Sequence, residues 1–380
     1  MKLFLNFLLI LTICMMLVGT LNAQTYGAKD TSLQELYGDF TPGQSQQLNP
    51  LANLAVILPD TKAEEWPAIR AKIYNRVIAC FGNGPVDLKP AVNQFKEIER
   101  YQSNGFTHIK YSYQIVDDVW TEAVLVLPNI FQDNGKSSAI LTVHGTNGKS
   151  GKTGSLGAPG GRRAYALELA QRGYITFSPD QLGYGSTINN VSEGELIASL
   201  SKKYPDWSYR ALKILTLIRA IDVLEQLPFV KKDSYGSMGN SLGGESVLFH
   251  AAFDTRVKVS VPSTGVSPAA TNVFRLLNRE MAFEPVKWKK IAKDGKPPYD
   301  LHEIIALCAP RCMLFLNDFN DPYDPDVMAG FKCVYQAMQV YSLLGTPGHI
   351  SMLIHGDGHD TVDDVREYAY KWFDRYLLKK

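Results

Sequence analysis

A mostly parallel β-sheet with helices packed on both faces is the architecture this chain predicts. From about residue 107 onward, runs of strand length alternate with stretches of helical periodicity, the pattern of repeated β-α units. Its strand-length runs alternate or run apolar, and Ala139–Val143 forms a short β-branched run, as expected of strands in a mostly parallel sheet. The 380 residues, 45% of them hydrophobic, also suffice for one large α/β domain.

Read in order, the first 23 residues have a basic start at Lys2, an apolar run from Leu3 to Val18 and a small residue at Ala23, the layout of a secretory signal peptide cleaved near Ala23. An uncleaved anchor is the competing reading, because the apolar run approaches spanning length. Cleavage would remove one charged residue, Lys2, and leave the mature chain formally neutral and without a membrane span. Residues 24–106 form a leader followed by a helix, Trp66 to Cys80, in which Ile69, Ile73, Val77 and Cys80 recur at helical spacing before Gly82. The catalytic domain is expected over 107–380.

Within it, His108–Val116, Thr121–Leu127 and Ala139–Val143 read as strands, the last stopping at His144-Gly145. A helix from Arg162 to Arg172, a strand from Tyr174 to Ser178 and a loop through Gly185 precede a long helix, Tyr209 to Leu227, stopped by Pro228. Strands then follow at Ser234–Met238, Arg256–Val261, Cys312–Leu316 and Ser351–Ile354, with helices ending at Phe253, Leu343 and Leu378. Residues 263–301 break the alternation. They read as an inserted cap over a pocket or as a long surface excursion.

With 39 basic and 38 acidic residues and a net charge of +1, there is no electrostatic case for a nucleic-acid partner. Export would place Cys80, Cys308, Cys312 and Cys333 where pairing is allowed. Their apolar surroundings and spacing fit buried free thiols better than disulfides or a zinc site.

The chemistry concentrates in Gly239-Asn240-Ser241-Leu242-Gly243, a G-x-S-x-G sequence between a strand and a helix. A serine at such a turn is exposed to substrate, and glycines on either side let neighbouring segments approach. Its hydroxyl needs a base, and His359, on a loop after the last strand, is the candidate. His355 competes, but the strand fixes its direction. The His355/His359 spacing would suit a metal on a helix, yet Gly356 and Gly358 spoil that helix, so no metal and no cofactor are expected. The acid that orients the base is expected at Asp321, with Asp318 and Asp324 as alternatives in the same loop. Oxyanion donors are expected at the backbone N–H of Leu242 and around Gly145 and Thr146, His144 being structural.

The order Ser241, Asp321, His359 resembles the α/β-hydrolase superfamily. The flanking His144-Gly145, Arg172-Gly173-Tyr174, Asp180, Gly183-Tyr184-Gly185, Arg219 to Asp222 and Ala309-Pro310-Arg311 are similar to dienelactone-hydrolase-like and prolyl-oligopeptidase-type serine hydrolases, including secreted acetyl xylan esterase relatives. The resemblance covers about residues 107–380. Dienelactone hydrolases carry a cysteine where this chain has Ser241, and glucuronoyl esterases, which share a similar Ala-Pro-Arg segment, carry an arginine where it has Leu242. No propeller repeat precedes the catalytic part. The resemblance implies a secreted or periplasmic serine esterase acting on a small-molecule or oligosaccharide ester, with a peptidase of short peptides as the alternative.

Two other classes fare worse. Gly145 to Thr153 imitates a phosphate loop, but five residues separate the first glycine from Gly-Lys-Thr's counterpart where four are required, and glycines follow where a helix should start. A non-catalytic ligand binder would be expected to lack a triad member, and every one is present.

Overall fold

The computed structural model describes residues 55–82, 94–128, 131, 137–157, 163–265, 268, 299–323 and 326–378. The expected signal peptide, most of the leader, Asp324 and nearly all of the expected cap lie outside these residues. All of the described residues fall in one compact unit, which spans residues 43–380.

Nine strands build one sheet: β1 Phe95–Ser103, β2 Phe106–Val116, β3 Val119–Leu127, β4 Ser137–Val143, β5 Ile175–Pro179, β6 Val230–Asn240, β7 Val257–Ser263, β8 Cys312–Asp318 and β9 Ile350–His355. Their spatial order is β1-β2-β3-β5-β4-β6-β7-β8-β9. The strands from β5 across to β9 are parallel, and β1, β2 and β3 extend the sheet by antiparallel pairing. The helices are α1 Trp66–Phe81, α2 Thr153–Leu156, α3 Tyr165–Gln171, α4 Glu193–Lys203, α5 Tyr209–Gln226, α6 Leu242–Phe253, α7 Leu301–Leu307, α8 Val327–Leu343 and α9 Asp363–Leu377.

The apolar residues of β4 face both ways for a direct cause. Ala139, Leu141 and Val143 enter one core cluster with Leu217, Ala220, Ile221 and Leu224 of α5, while Ile140 enters another with Tyr165 and Leu169 of α3 and Ala369, Trp372 and Phe373 of α9. Successive side chains point to opposite faces, and both faces are covered by helices. The sheet is thus buried from both sides, and the carboxyl ends of its parallel strands remain as the edge where loops converge.

The sheet starts at Phe95, ahead of the expected boundary at residue 107. β1 escapes recognition because Phe-Lys-Glu-Ile-Glu-Arg-Tyr-Gln-Ser is exposed along almost its whole length and shows no alternation; β2 makes it a strand by pairing with it. Helix α4 was unforeseen, although Ser192 and Glu195 form a reciprocal capping box at its start. Asp300 and Glu303 do the same for α7, just past the stretch read as a cap. The four cysteines of the described residues are buried, and no disulfide joins them. Arg311, of the Ala-Pro-Arg segment, donates to the carbonyls of Leu307, Asp254 and Val257, so it ties the start of β8 to β7.

Candidate active site

At the end of β6 the chain turns directly into α6, and Ser241 occupies the corner with φ 60° and ψ −123°. This is a conformation that costs a non-glycine residue of the order of 1–3 kcal/mol and persists where surrounding structure enforces it. The enforcement is visible. The Ser241 N–H donates to the Ser263 carbonyl at 2.8 Å and to Thr264 Oγ1 at 3.1 Å, which holds the corner to the end of β7. A Cβ on Gly243 would stand 2.2 Å from the Val143 carbonyl oxygen, and one on Gly239 2.6 Å from the Gly243 carbonyl carbon. The two glycines of the motif are therefore required by close backbone approach, as the sequence suggested.

His359 and Asp321 come from the loops after β9 and β8. The His359 Nδ1–H donates to Asp321 Oδ2 at 2.7 Å, which sets the tautomer and leaves Nε2 as the basic nitrogen. Asp321 is almost fully buried and also accepts from the Tyr323 N–H at 2.8 Å. The Tyr323 ring lies edge-on to the imidazole with centroids 4.7 Å apart and is itself exposed, forming an open wall beside the histidine. Of the two candidate acids among the described residues, Asp318 and Asp321, Asp321 is the one that meets His359. Asp318 instead binds His355 Nδ1 at 2.9 Å and the N–H groups of Gly358 and Asn320 at 2.7 and 2.5 Å. His355 faces Asp318 directly across the β8–β9 ladder, as a strand residue should.

The serine corner and the histidine loop are bound together. Thr361, two residues past His359, receives Asn240 Nδ2 at 3.4 Å and the Tyr165 hydroxyl at 3.0 Å, and its hydroxyl lies 2.7 Å from Ser263 Oγ. Arg163, whose φ of 64° is again left-handed, donates from Nη2 to the His359 carbonyl at 2.7 Å and from Nε to Asp360 Oδ1 at 3.0 Å. Nothing in the sequence singled out Arg163. Its partners are nearly two hundred positions away.

The expected oxyanion groups flank the serine. Leu242 is the first residue of α6, where backbone N–H groups have no partner within the helix. Gly145 borders Ser241 so closely that a Cβ on it would lie 3.5 Å from the serine Cβ. The Gly145 carbonyl is held by His144 Nδ1–H at 2.6 Å, and His144 Nε2 accepts the Gln181 N–H at 3.0 Å. These two bonds fix the His144 tautomer and with it the peptide that carries the Thr146 N–H. Burial lowers the His144 pKa to about 4, so the ring is neutral near pH 7.

The imitation phosphate loop folds inward. Lys152 Nζ lies 2.6 Å from the fully buried Asp180 and 3.2 Å from Glu122, and the Lys152 N–H donates to Asp180 at 2.6 Å. This lysine is engaged as a structural ion pair. Among the described residues no cluster of three or more His, Cys, Asp or Glu side chains is arranged to hold a metal. No helix among them is long and apolar enough to cross a membrane.

Comparison with known proteins places these features in a context. The profile of the fungal glucuronyl esterase family matches residues 174–345. A 4-O-methyl-glucuronoyl methylesterase of Wolfiporia cocos is 30% identical over 185 residues, 42% of this chain and 44% of that enzyme; the chain thus spans less than half the length of the curated relatives it matches. A glucuronoyl esterase from Solibacter usitatus superposes with a TM-score of 0.66 at 17% identity, over 83% of this chain and 94% of that one. A Bacteroides fragilis protein assigned as an acetyl xylan esterase gives 0.59 at 16% identity, over 80% and 78%. By sheet order, by the serine corner between β6 and α6 and by these superpositions, the chain has the α/β-hydrolase fold.

Proposed function

We propose that the chain is a serine hydrolase that cleaves carboxylic esters of carbohydrates through an acyl-enzyme, with Ser241, His359 and Asp321 as its triad. The carrying observation is the Asp321–His359 bond at 2.7 Å, on a loop tied through Thr361 to the segment of a serine held in a left-handed corner. In this reading Ser241 Oγ forms a bond to the ester carbonyl carbon as its proton passes to His359 Nε2, and the carbonyl electron pair moves onto oxygen. Asp321 stabilises the imidazolium without taking its proton. The N–H groups of Leu242 and of the Gly145–Thr146 segment receive the oxyanion. Collapse expels the alcohol with the proton from His359, and water then repeats the cycle on the acyl-enzyme.

The relatives favour esters in which a sugar acid is the acyl part, since two of them are 4-O-methyl-glucuronoyl methylesterases. The acetyl xylan esterase likeness favours the opposite arrangement, in which sugar is the alcohol. We place glucuronoyl esters first. The apolar first 23 residues support export to the periplasm or medium with cleavage near Ala23. A leader ahead of the sheet and a cap within 263–301 belong to the same proposal.

The test compares wild type with Ser241→Ala on a glucuronate methyl ester, acetylated xylo-oligosaccharides, p-nitrophenyl acetate and aminoacyl p-nitroanilides. Ester hydrolysis that falls at least about 10⁴-fold in the variant is expected. Equal rates in both proteins would refute the triad, and cleavage confined to the anilides would make the protein a peptidase.

A further inference from the structure

Gly145 leaves a space with three neighbours of different chemistry. The point its Cβ would occupy lies 3.2 Å from the Asn240 carbonyl oxygen, 3.5 Å from Ser241 Cβ and 3.9 Å from Arg163 Nη1. The arginine therefore stands across a methyl-sized gap from the serine methylene. Its other two nitrogens are already committed, Nη2 to the His359 carbonyl and Nε to Asp360, so the guanidinium plane is fixed by bonds to the histidine loop. Among the described residues Nη1 has no hydrogen-bond partner. The backbone at Arg163 lies in the left-handed region, and its side chain remains partly exposed.

We infer that Arg163 is a catalytic residue whose Nη1 donates to the carbonyl oxygen of the bound ester and, more strongly, to the oxyanion formed on it. This rests on Ser241 being the nucleophile. A fixed guanidinium N–H beside the atom where negative charge develops stabilises the transition state more than the neutral ester. The bond is charge-assisted, and its donor needs no reorientation during the reaction. The arginine forms no covalent bond and gives up no proton; when the tetrahedral intermediate collapses, its partner is again a neutral carbonyl. Gly145 is part of the same device, because any side chain there would fill the gap.

The experiment measures Arg163→Ala, Arg163→Lys and Asp360→Asn on p-nitrophenyl acetate, with inhibition by an ester-shaped trifluoromethyl ketone that leaves an oxyanion on its Ser241 adduct. Loss of one oxyanion donor predicts that Arg163→Ala lowers kcat about 10²–10³-fold with little change in KM. Affinity for the ketone should fall in proportion to kcat/KM, and Arg163→Lys should lie between. Asp360→Asn, which removes an anchor and keeps the guanidinium, should cost less than about 10-fold. A crystal structure of the wild-type ketone adduct should show Nη1 at 2.7–3.1 Å from the oxyanion. An arginine more than 4 Å from that oxygen, or ketone affinity unchanged in Arg163→Ala, would overturn the inference and leave Arg163 a tether of the His359 loop. A wild type that hydrolyses no ester would instead overturn the proposed function, so the two failures are distinguishable.

Discussion

Asp318 and His355 meet at 2.9 Å where β8 and β9 end; Asp321 and His359, three and four residues further along the same two segments, meet at 2.7 Å. Both pairs join a buried carboxylate to a histidine Nδ1. They differ in what carries them. The first is a cross-strand pair whose direction the ladder dictates, and His355 Nε2 is buried without a hydrogen-bond partner among the described residues. The second sits on loops that pass beyond the sheet, next to the exposed Tyr323 ring and tied through Thr361 to the serine corner. An aspartate–histidine contact is therefore not a catalytic dyad by itself. The same strand ends supply one pair within the ladder and, just beyond it, the pair proposed to be reactive, and the first holds the loop of the second through Asp318 and the Gly358 N–H.

The largest expected contrast is between the histidines. His359→Asn should lower kcat on an activated ester by about 10⁴-fold or more with the fold intact, whereas His355→Asn should leave kcat within about 10-fold and lower the thermal midpoint. Similar losses in both variants would erase the distinction. The acids come next. Asp321→Asn should lower kcat about 10⁴-fold by releasing the wrong imidazole tautomer. Asp318→Asn, which weakens a buried acceptor of three bonds, should cost about 1–3 kcal/mol of stability, read from urea midpoints, with a smaller effect on rate.

How much of this could be seen in the sequence varies by element. The motif around Ser241 was legible because a strained corner needs glycines at fixed offsets, and the structure shows what each one avoids. That His355 would be held within the sheet while His359 lies on a loop past it was legible because strand direction is a local property. β1 was not, since an exposed edge strand is specified by its neighbour rather than by its own pattern. Asp318 and Asp321 could not be separated from the sequence, because both follow the apolar run that ends at Leu316, and only the structure shows that the strand runs on through Asp318. Arg163 carried no local signal at all; its role comes from contacts nearly two hundred residues away.

Smaller effects sharpen the comparison with a third histidine. Burial holds the His144 pKa at about 4, against about 6.5 when unfolded. Between these values the unfolded chain binds the extra proton, so this contribution to stability is present above pH 6.5 and is lost as pH falls towards 4. Burial of His302, also held at about 4, acts with the same sign. The thermal midpoint should therefore drop between pH 7 and pH 5, and the drop should be smaller in His144→Gln. An identical drop in that variant would remove His144 from the account.

The most direct measurement is the rate at which a fluorophosphonate labels Ser241, followed by mass spectrometry, in wild type, His359→Asn and His355→Asn. Rapid labelling of Ser241 in wild type and His355→Asn, with labelling slowed at least about 10³-fold in His359→Asn, is the predicted result. Labelling at another residue, or equal rates in His359→Asn and wild type, would contradict it.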